Sequence, residues 1–200
     1  MIGKISGTIL AGGTGRRLNG RTKSNIVIEG KTIISRIIET INYLFDEIII
    51  VTNTPAEFEE QNKYKIISDQ FVKAGPLGGI HAALKASSND AIFVFAGDMP
   101  LLDKKIIITQ INFYNKYKCD VVIPRILENI EPLHSIYNVS VLETLEEYLS
   151  RGHDYAVREF IKLVNVKYLQ FEGSEENKNA FTNVNSLSDL SVVNKILGSC

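Results

Sequence analysis

Short apolar runs alternate along the chain with longer stretches in which apolar residues recur at helical spacing. Continuous apolar or β-branched runs of about four to eight residues are typical of strands that are covered on both sides. On this basis the sequence predicts strands at 7–11, 47–53, 65–68, 91–98, 120–124, 133–138 and 166–171. The run at 91–98, AIFVFAGD, is the most apolar of them.

Between these strands, apolar residues return every three or four positions, which is the spacing of one helical face. The stretch 33–45 shows this best, with seven isoleucine, leucine and phenylalanine residues on one face. Asp103 has the side chain of an N-cap, and we expect it to begin a helix that runs to about Tyr117. Further helices are predicted after Pro55 and at 81–86, 141–149, 155–163 and 188–197, whereas 172–180 is predicted to be a polar loop.

This alternation predicts a single α/β domain over residues 1–200: a three-layer, Rossmann-like fold with a mostly parallel twisted sheet and helices on both faces. In such sheets, ligands bind at the carboxyl ends of the strands. Gly12–Gly15, Asn53, Asp69 and Asp98 each lie at or just past the C-terminal end of a predicted strand. We therefore expect them to share one site.

The stretch ILAGGTGRRLNGRTK at 9–23 joins an apolar run to glycines, four basic side chains and no carboxylate. Glycines let a loop turn successive N–H groups toward one anion, and they let phosphate oxygens approach the backbone closely. Arg16, Arg17, Arg21 and Lys23 would add positive charge. The stretch predicts a phosphate-binding loop, and the alternative is a strand–loop–helix turn with solvated basic residues.

The stretch can be compared with three known kinds of phosphate-binding loop. A dinucleotide-binding loop would need a third glycine where Leu18 stands, and an acidic residue about 20 positions further on, where Ser35 and Arg36 lie. An NTPase-type loop matches residues 15–22, but Arg21 replaces the lysine and the match starts beyond the end of the strand. The signature loop of nucleotidyltransferases is matched by the whole stretch.

Composition narrows the classes of partner. The chain has 22 basic and 23 acidic residues and a formal net charge of −1, so it has no global attraction for nucleic acid or an anionic membrane. Cys119 and Cys200 form neither a metal-ligand spacing nor a disulfide framework. No long apolar segment and no signal-like N-terminus are present, and we expect a cytoplasmic protein.

Seven segments, in order, resemble the molybdenum cofactor guanylyltransferase family. They are LAGGTGRRLNG with Lys23, EGKTII at 29–34, IIIVTN at 48–53, ISDQFVKAGPLGGIHAAL at 67–84, FVFAGDMPLL at 93–102, EPLHSIYN at 131–138 and FTNVNSLSDL at 181–190. The LAGG, GPLGG and GDMP elements are shared with other nucleotidyltransferases, whereas NVN favours the molybdopterin branch. The chain departs from the family at Ser24–Asn25 and after Gly152, where Arg158 is the nearest basic residue.

The resemblance implies transfer of GMP from GTP to the phosphate of molybdopterin, with release of pyrophosphate and with Mg²⁺ as cofactor. Both substrates are small molecules, and transient contact with cofactor-biosynthesis proteins is expected. The N-terminal part would bind the nucleotide and roughly 120–200 the acceptor. The implied nucleotide-binding residues are Leu10, Ala11, Gly12, Gly13, Gly15, Lys23, Asn53, Asp69, Gly78 and Asp98. Arg17, Lys23 and Asp98 would be catalytic, Asp98 would hold the metal, and Asn183 and Asn185 would contact the acceptor.

Four of these positions also have a purely structural alternative. Asp98 could cap a loop, but a carboxylate facing a triphosphate calls for a cation between them, and Mg²⁺ prefers oxygen ligands. Asn53 could be a turn residue before Thr54-Pro55. Asn183 and Asn185 alternate, so on an extended segment they share one face, which could equally be a polar strand edge. His134 and Ser135 are weaker candidates on the acceptor side.

Two other functions remain open from the sequence. The same fold and chemistry could serve a different substrate pair, as in a molybdopterin cytidylyltransferase or a sugar-phosphate nucleotidyltransferase. The protein could also bind a nucleotide without turning it over.

Overall fold

A mixed sheet forms the centre of the computed structural model, which describes residues 4–12, 22–71, 73–152 and 155–198. The strands within these residues are β1 (Ile5–Leu10), β2 (Val27–Ile28), β3 (Lys31–Thr32), β4 (Ile48–Val51), β5 (Lys65–Ile67), β6 (Ala91–Ala96), β7 (Val121–Ile126), β8 (Asn129–Ile130), β9 (His134–Asn138) and β10 (Val166–Phe171).

The main sheet has the order β10-β7-β9-β6-β1-β4-β5, with β8 paired to β7. Strands β5, β4, β1 and β6 are parallel, and so is the pair of β7 and β10. Strand β9 runs antiparallel to both of its neighbours. The predicted mostly parallel sheet is therefore confirmed.

Helices cover both faces of this sheet. They are α1 (Ile33–Ile41), α2 (Pro76–Ala86), α3 (Lys104–Tyr117), α4 (Leu142–Ser150), α5 (Val157–Phe160), α6 (Glu175–Ala180) and α7 (Leu187–Gly198), with 3-10 turns at Lys23–Asn25, Pro55–Gln61, Val139–Val141 and Ile161–Leu163. No helix in the described ranges combines the length and the apolarity that a bilayer span requires.

Strand β6 shows why the fold has three layers. Phe93 and Phe95 belong to an apolar cluster with residues of α1, α3 and α7, whereas Ile92 and Val94 belong to a second cluster with residues of α2 and α4. Successive side chains of a strand point to opposite faces, so a continuous apolar strand requires a cover on both. The predicted layers on both faces are confirmed.

The N-cap prediction at Asp103 is confirmed, because its Oδ1 atom accepts hydrogen bonds from the N–H groups of Lys105 (2.6 Å) and Ile106 (3.1 Å). The predicted loop at 172–180 is wrong in part, since α6 occupies Glu175–Ala180 and its N-cap Ser174 accepts from the Asn177 N–H at 3.3 Å. This helix buries little besides Ala180, so it has no apolar periodicity to detect. The 27–32 hairpin of β2 and β3 was also not predicted.

Candidate active site

The carboxyl ends of β1, β4 and β6 open onto a cavity of about 470 Å³. Several residues predicted from the sequence line it: Leu10, Gly12, Lys23, Asn53, Asp69 and Asp98. Ala11 is fully buried, and its N–H donates to the Val51 carbonyl at 2.9 Å. Gly13, Gly15, Arg16 and Arg17 lie outside the described residues. The sheet thus gathers ends of strands that are distant in sequence into one site, as open α/β sheets do.

Lys23 is the point at which three remote segments meet. Its Nζ atom donates to Asp98 Oδ2 at 3.1 Å and also to Asn185 Oδ1. The Lys23 and Asp98 side chains are 24% and 19% exposed, so water reaches the pair and a ligand can do so as well. An ammonium beside a carboxylate and an amide oxygen suits the binding of an anion together with a cation.

Backbone hydrogen bonds fix the position of Asp98. The N–H of Gly97 donates to the Leu10 carbonyl at 3.0 Å, and the N–H of Val184 donates to the Asp98 carbonyl at 2.8 Å. A Cβ atom on Gly97 would overlap the Ser24 Oγ atom and would lie 2.7 Å from the Leu10 carbonyl oxygen. Glycine therefore lets the 97–98 turn pass directly beside the 10–12 segment.

The turn that carries Lys23 is tied to the 3-10 helix Pro55–Gln61. The N–H of Thr22 donates to Glu57 Oε2 at 3.2 Å, and Asn25 Nδ2 donates to the Glu57 carbonyl oxygen at 3.1 Å. The hydrogen bonds from Thr22 lower the pKa of the Glu57 carboxyl below its ordinary value. Ser24 is buried and lines the cavity, so the departure at Ser24–Asn25 has a local structural role.

Asp69 and Asn53 form a second polar pair in the same cavity. Asn53 Nδ2 donates to Asp69 Oδ2 at 2.9 Å, whereas the buried Oδ1 atom of Asp69 has no hydrogen-bond donor among the described residues. The pair is held where β4 and β5 end, since the Thr52 N–H donates to the Ile67 carbonyl at 2.8 Å. A buried carboxylate oxygen without a donor costs free energy unless a ligand supplies one.

The GPLGG segment at 75–79 begins α2 against the cavity. Gly75 has a positive φ of 55°, and Gly75, Pro76 and Gly79 line the cavity. Gly78 lies behind this surface, where a Cβ atom would come within 2.7 Å of the Phe71 carbonyl oxygen. Gly79 is equally tight, because its Cβ would lie 2.9 Å from Leu10 Cδ2. Gly78 thus acts in packing, while its neighbours form the cavity surface.

The two asparagines of the NVN segment lie in different environments. Residues 182–185 form no strand, and Val184 between the asparagines is fully buried. Asn183 Nδ2 donates to the Phe181 carbonyl at 3.3 Å, whereas Asn185 contacts Lys23. Val184 anchors the segment to the core, while Asn183 and Asn185 on either side of it are less buried, which is the alternation expected if their side chains share the opposite face; their contact with the acceptor stays a prediction.

His134 belongs to the scaffold. It is fully buried, its Nδ1 atom is 2.9 Å from Gln110 Oε1, and its ring packs edge-on against Phe93 and Phe95. Burial lowers the pKa of His134 to about 4, so the ring is neutral near pH 7. Ser135 Oγ donates to the Glu131 carbonyl at 2.7 Å, which likewise holds the chain in place.

Some residues of the cavity were not predicted, namely Ser24, Thr52, Gly75, Pro76, Gly79, Gly97 and Leu133. The glycines belong to the GPLGG and GDMP motifs, which were recognised in the sequence. The motifs did not show which of their glycines would line the cavity. Thr52 and Leu133 carried no signal of their own, because a threonine or leucine at the end of a strand is common everywhere in a sheet.

The donor set fits a hard divalent cation that is shared with a ligand. Among the described residues, no group of three or more His, Cys, Asp and Glu side chains could hold a metal by itself. Asp98 offers a carboxylate and Asn185 an amide oxygen beside Lys23. Mg²⁺ commonly takes one or two such protein oxygens together with water and substrate phosphates.

Comparison with known proteins identifies the family. The family model described as the MobA-like NTP transferase domain matches residues 7–168. The chain belongs to this family. It is therefore a nucleotidyltransferase of the MobA-like type, an enzyme class that generally uses a divalent metal.

Relatives cover nearly the whole chain. A probable molybdenum cofactor guanylyltransferase of Natranaerobius thermophilus is 34% identical over 206 residues, which cover 99% of this chain and 98% of the relative. A probable molybdenum cofactor guanylyltransferase of Thermococcus gammatolerans is 39% identical, covering 94% of this chain and 98% of the relative. The resemblance seen in the sequence is thus confirmed over its full extent.

Solved structures agree on the fold. Molybdopterin-guanine dinucleotide biosynthesis protein A from Archaeoglobus fulgidus superposes with a TM-score of 0.83 at 24% identity, covering 98% of this chain and 100% of that one. A 4-diphosphocytidyl-2C-methyl-D-erythritol synthase from Anaerococcus prevotii superposes with a TM-score of 0.74 at 16% identity, covering 98% and 97%. Both likenesses lie below 25% identity and show the shared fold.

Proposed function

We propose that this MobA-like transferase moves GMP from GTP to the phosphate of molybdopterin and releases pyrophosphate. The observation that carries the proposal is the meeting of Lys23, Asp98 and Asn185 in a cavity that also holds the Asn53–Asp69 pair. The relatives' name, molybdenum cofactor guanylyltransferase, supports the choice of substrates.

In this proposal the backbone at Leu10, Ala11 and Gly12, continued by Gly13 and Gly15, cradles the triphosphate. Lys23 and Arg17 neutralise the charge that develops on the phosphates as the bond between the α- and β-phosphates breaks. The acceptor phosphate is already an anion, so no side chain has to act as a nucleophile. Catalysis then consists of alignment and charge neutralisation, as in other phosphoryl-transfer reactions.

Asp98 would hold the divalent cation, with the Asn185 amide oxygen next to it, and we propose Mg²⁺ as that cation. When bound, the ion would screen the Asp98 carboxylate from the triphosphate and would supply a positive charge where the pyrophosphate leaves. Lys23, which pairs with Asp98 and lines the same cavity, would contact the phosphates.

Asp69 and Asn53 would select the nucleotide. Guanine presents two adjacent donors, N1–H and the 2-amino group, and the donor-free Oδ1 atom of Asp69 can accept from such a group. Cytosine presents no equivalent pair of donors. Gly78 would contribute by letting α2 pack close enough for Gly79 and Gly75 to face the nucleotide.

The acceptor would bind on the side formed by roughly 120–200. Asn185 reaches Lys23 from this part of the chain, which would bring the acceptor phosphate next to the nucleotide. Asn183, which holds the turn at Phe181, would support the same side. We further propose that the protein works as a single domain in the cytoplasm and meets other cofactor-biosynthesis proteins transiently.

A pyrophosphate-release assay tests the proposal. Purified protein is incubated with molybdopterin and GTP, CTP, UTP or ATP, with and without Mg²⁺. We expect release with GTP and Mg²⁺ only, and we expect Asp98→Asn to abolish it while still folding. Release with CTP would identify a cytidylyltransferase. Binding of GTP without release under any condition would show a nucleotide-binding protein without turnover.

A further inference from the structure

We propose that Asp189, in the first turn of α7, is a positioning residue that holds the Asn185 amide oxygen against the Lys23 ammonium. Asp189 does not line the cavity, and it makes no hydrogen bond to Lys23. It acts through the backbone of Asn185. The inference rests on the proposed function, because it assigns a task within the same reaction.

The carboxylate of Asp189 makes one contact more than helix capping requires. Its Oδ2 atom accepts from the Ser186 N–H at 2.8 Å, while Ser186 Oγ accepts from the Asp189 N–H at 3.3 Å. These two bonds form a reciprocal capping box at the start of α7. The same Oδ2 atom also accepts from the Asn185 N–H at 2.8 Å. The additional bond reaches the residue whose side chain contacts Lys23.

Asn185 is therefore held from both sides along the chain. On the C-terminal side, the Asp189 carboxylate accepts from the N–H groups of Asn185 and Ser186. On its N-terminal side, Val184 is fully buried and its N–H donates to the Asp98 carbonyl at 2.8 Å. With the backbone fixed at both ends, Asn185 presents its side chain to Lys23 from a defined position.

Electrostatics supports this arrangement. Hydrogen bonds from Asn185 and Ser186 lower the pKa of the Asp189 carboxyl, and Lys23 lowers it further. Asp189 therefore remains ionised at neutral pH and continues to accept from both N–H groups. An anion in the first turn of a helix is also stabilised by the free N–H groups there.

Capping alone is the competing explanation, and Ser186→Ala is the matched control for it. This variant removes the Ser186 Oγ acceptor from the capping box but leaves the bond between Asp189 and Asn185. Asp189→Ala removes the bonds that the carboxylate accepts from the Asn185 and Ser186 N–H groups, and leaves the bond from the N–H of residue 189 to Ser186 Oγ. A comparison of the two variants separates the stability of α7 from the placement of Asn185.

The experiment measures kcat, the KM for GTP, GTP affinity by calorimetry and the melting temperature for Asp189→Ala, Asp189→Glu, Ser186→Ala, Asn185→Ala and the double variant Asp189→Ala/Asn185→Ala. We expect Asp189→Ala to lower kcat about tenfold, because Asn185 loses its fixed position beside Lys23. Ser186→Ala should lower the melting temperature about as much as Asp189→Ala does, and should keep kcat within about twofold of the wild-type value. Asp189→Glu should recover part of the lost kcat, and the double variant should be no slower than Asn185→Ala alone.

Equal kcat values for Asp189→Ala and Ser186→Ala, or additive losses in the double variant, would overturn the inference. If Asp189→Ala fails to fold, the partial loss of kcat in Asp189→Glu is compared with the loss of kcat in Asn185→Ala instead. If the wild-type protein releases no pyrophosphate, the proposed function fails by itself. The single and double variants are then compared by their affinity for GTP. Asp189→Ala and Asn185→Ala should weaken GTP binding equally, and the double variant should weaken it no further.

Discussion

Asn53 and Asp69 meet where β4 and β5 end, with Asn53 Nδ2 donating to Asp69 Oδ2 at 2.9 Å. This bond occupies one oxygen of the carboxylate and leaves Oδ1 buried, without a donor among the described residues. The pair therefore leaves one carboxylate oxygen without a donor on a residue that lines the cavity. A turn residue before Pro55, which was the structural alternative for Asn53, would not need a partner 16 positions away.

Replacing this acceptor should weaken nucleotide binding. In Asp69→Asn, the amide oxygen would pair with Asn53 and the NH₂ group would face the ligand, where it cannot accept a hydrogen bond. We expect the KM for GTP to rise about tenfold or more with a smaller change in kcat. Asp46→Asn, an exposed loop position, is the control and should change neither value. An unchanged KM in Asp69→Asn would contradict the role of Oδ1.

Removing the ammonium of Lys23 should slow the chemical step. Lys23→Met keeps much of the stem and loses the charge that balances the phosphates. A loss of about 2–4 kcal/mol in transition-state stabilisation corresponds to a kcat about 30- to 1000-fold lower. Lys31→Met serves as the control, because Lys31 pairs with Glu39 at 2.8 Å and does not line the cavity. Single-turnover pyrophosphate release measures the step, and equal rates for both variants would exclude Lys23 from it.

A methyl group on Gly97 should disturb both stability and the site. In Gly97→Ala, the new Cβ would overlap Ser24 Oγ and crowd the Leu10 carbonyl, so β6 and the loop after β1 would have to separate. We expect a loss of about 1–3 kcal/mol in the free energy of unfolding, typical of overpacking. Gly198→Ala is the control, since nothing lies within 4 Å of its added Cβ. Urea denaturation compares the two, and equal stabilities would contradict the close approach.

His134 should make the protein less stable in mild acid. Its pKa is about 4 in the folded protein because the ring is buried, and about 6.5 in an unfolded chain. The unfolded state therefore binds the proton first, and stability is lost as the pH falls from about 6.5 toward 4, by about 3 kcal/mol in total. His134→Gln cannot titrate, so its unfolding free energy should fall less over this range. Parallel losses in both proteins, measured by urea denaturation at several pH values, would rule His134 out as the cause.

Local patterns in the sequence were sufficient for the elements with strong signals. The apolar run at 91–96 is a strand that is buried on both faces. The Asp103 side chain caps the first turn of α3 and so fixes where this helix begins. The placement of Asn53, Asp69 and Asp98 at strand ends also followed from the sequence, because parallel strands bring their carboxyl ends to one edge.

Partners that are distant in sequence could not be predicted in this way. Lys23 and Asn185 are 162 positions apart, and nothing in the residues around either one specifies the other. Helix α6 has too few buried residues for a period, and the antiparallel direction of β9 depends on how the chain returns between β6 and β7. Hydrophobic pattern and capping determine which face of each element is buried and where it starts. Which loops finally touch is decided by the packing of the whole core, since only the sum of many long-range contacts outweighs the entropy of closing such large loops.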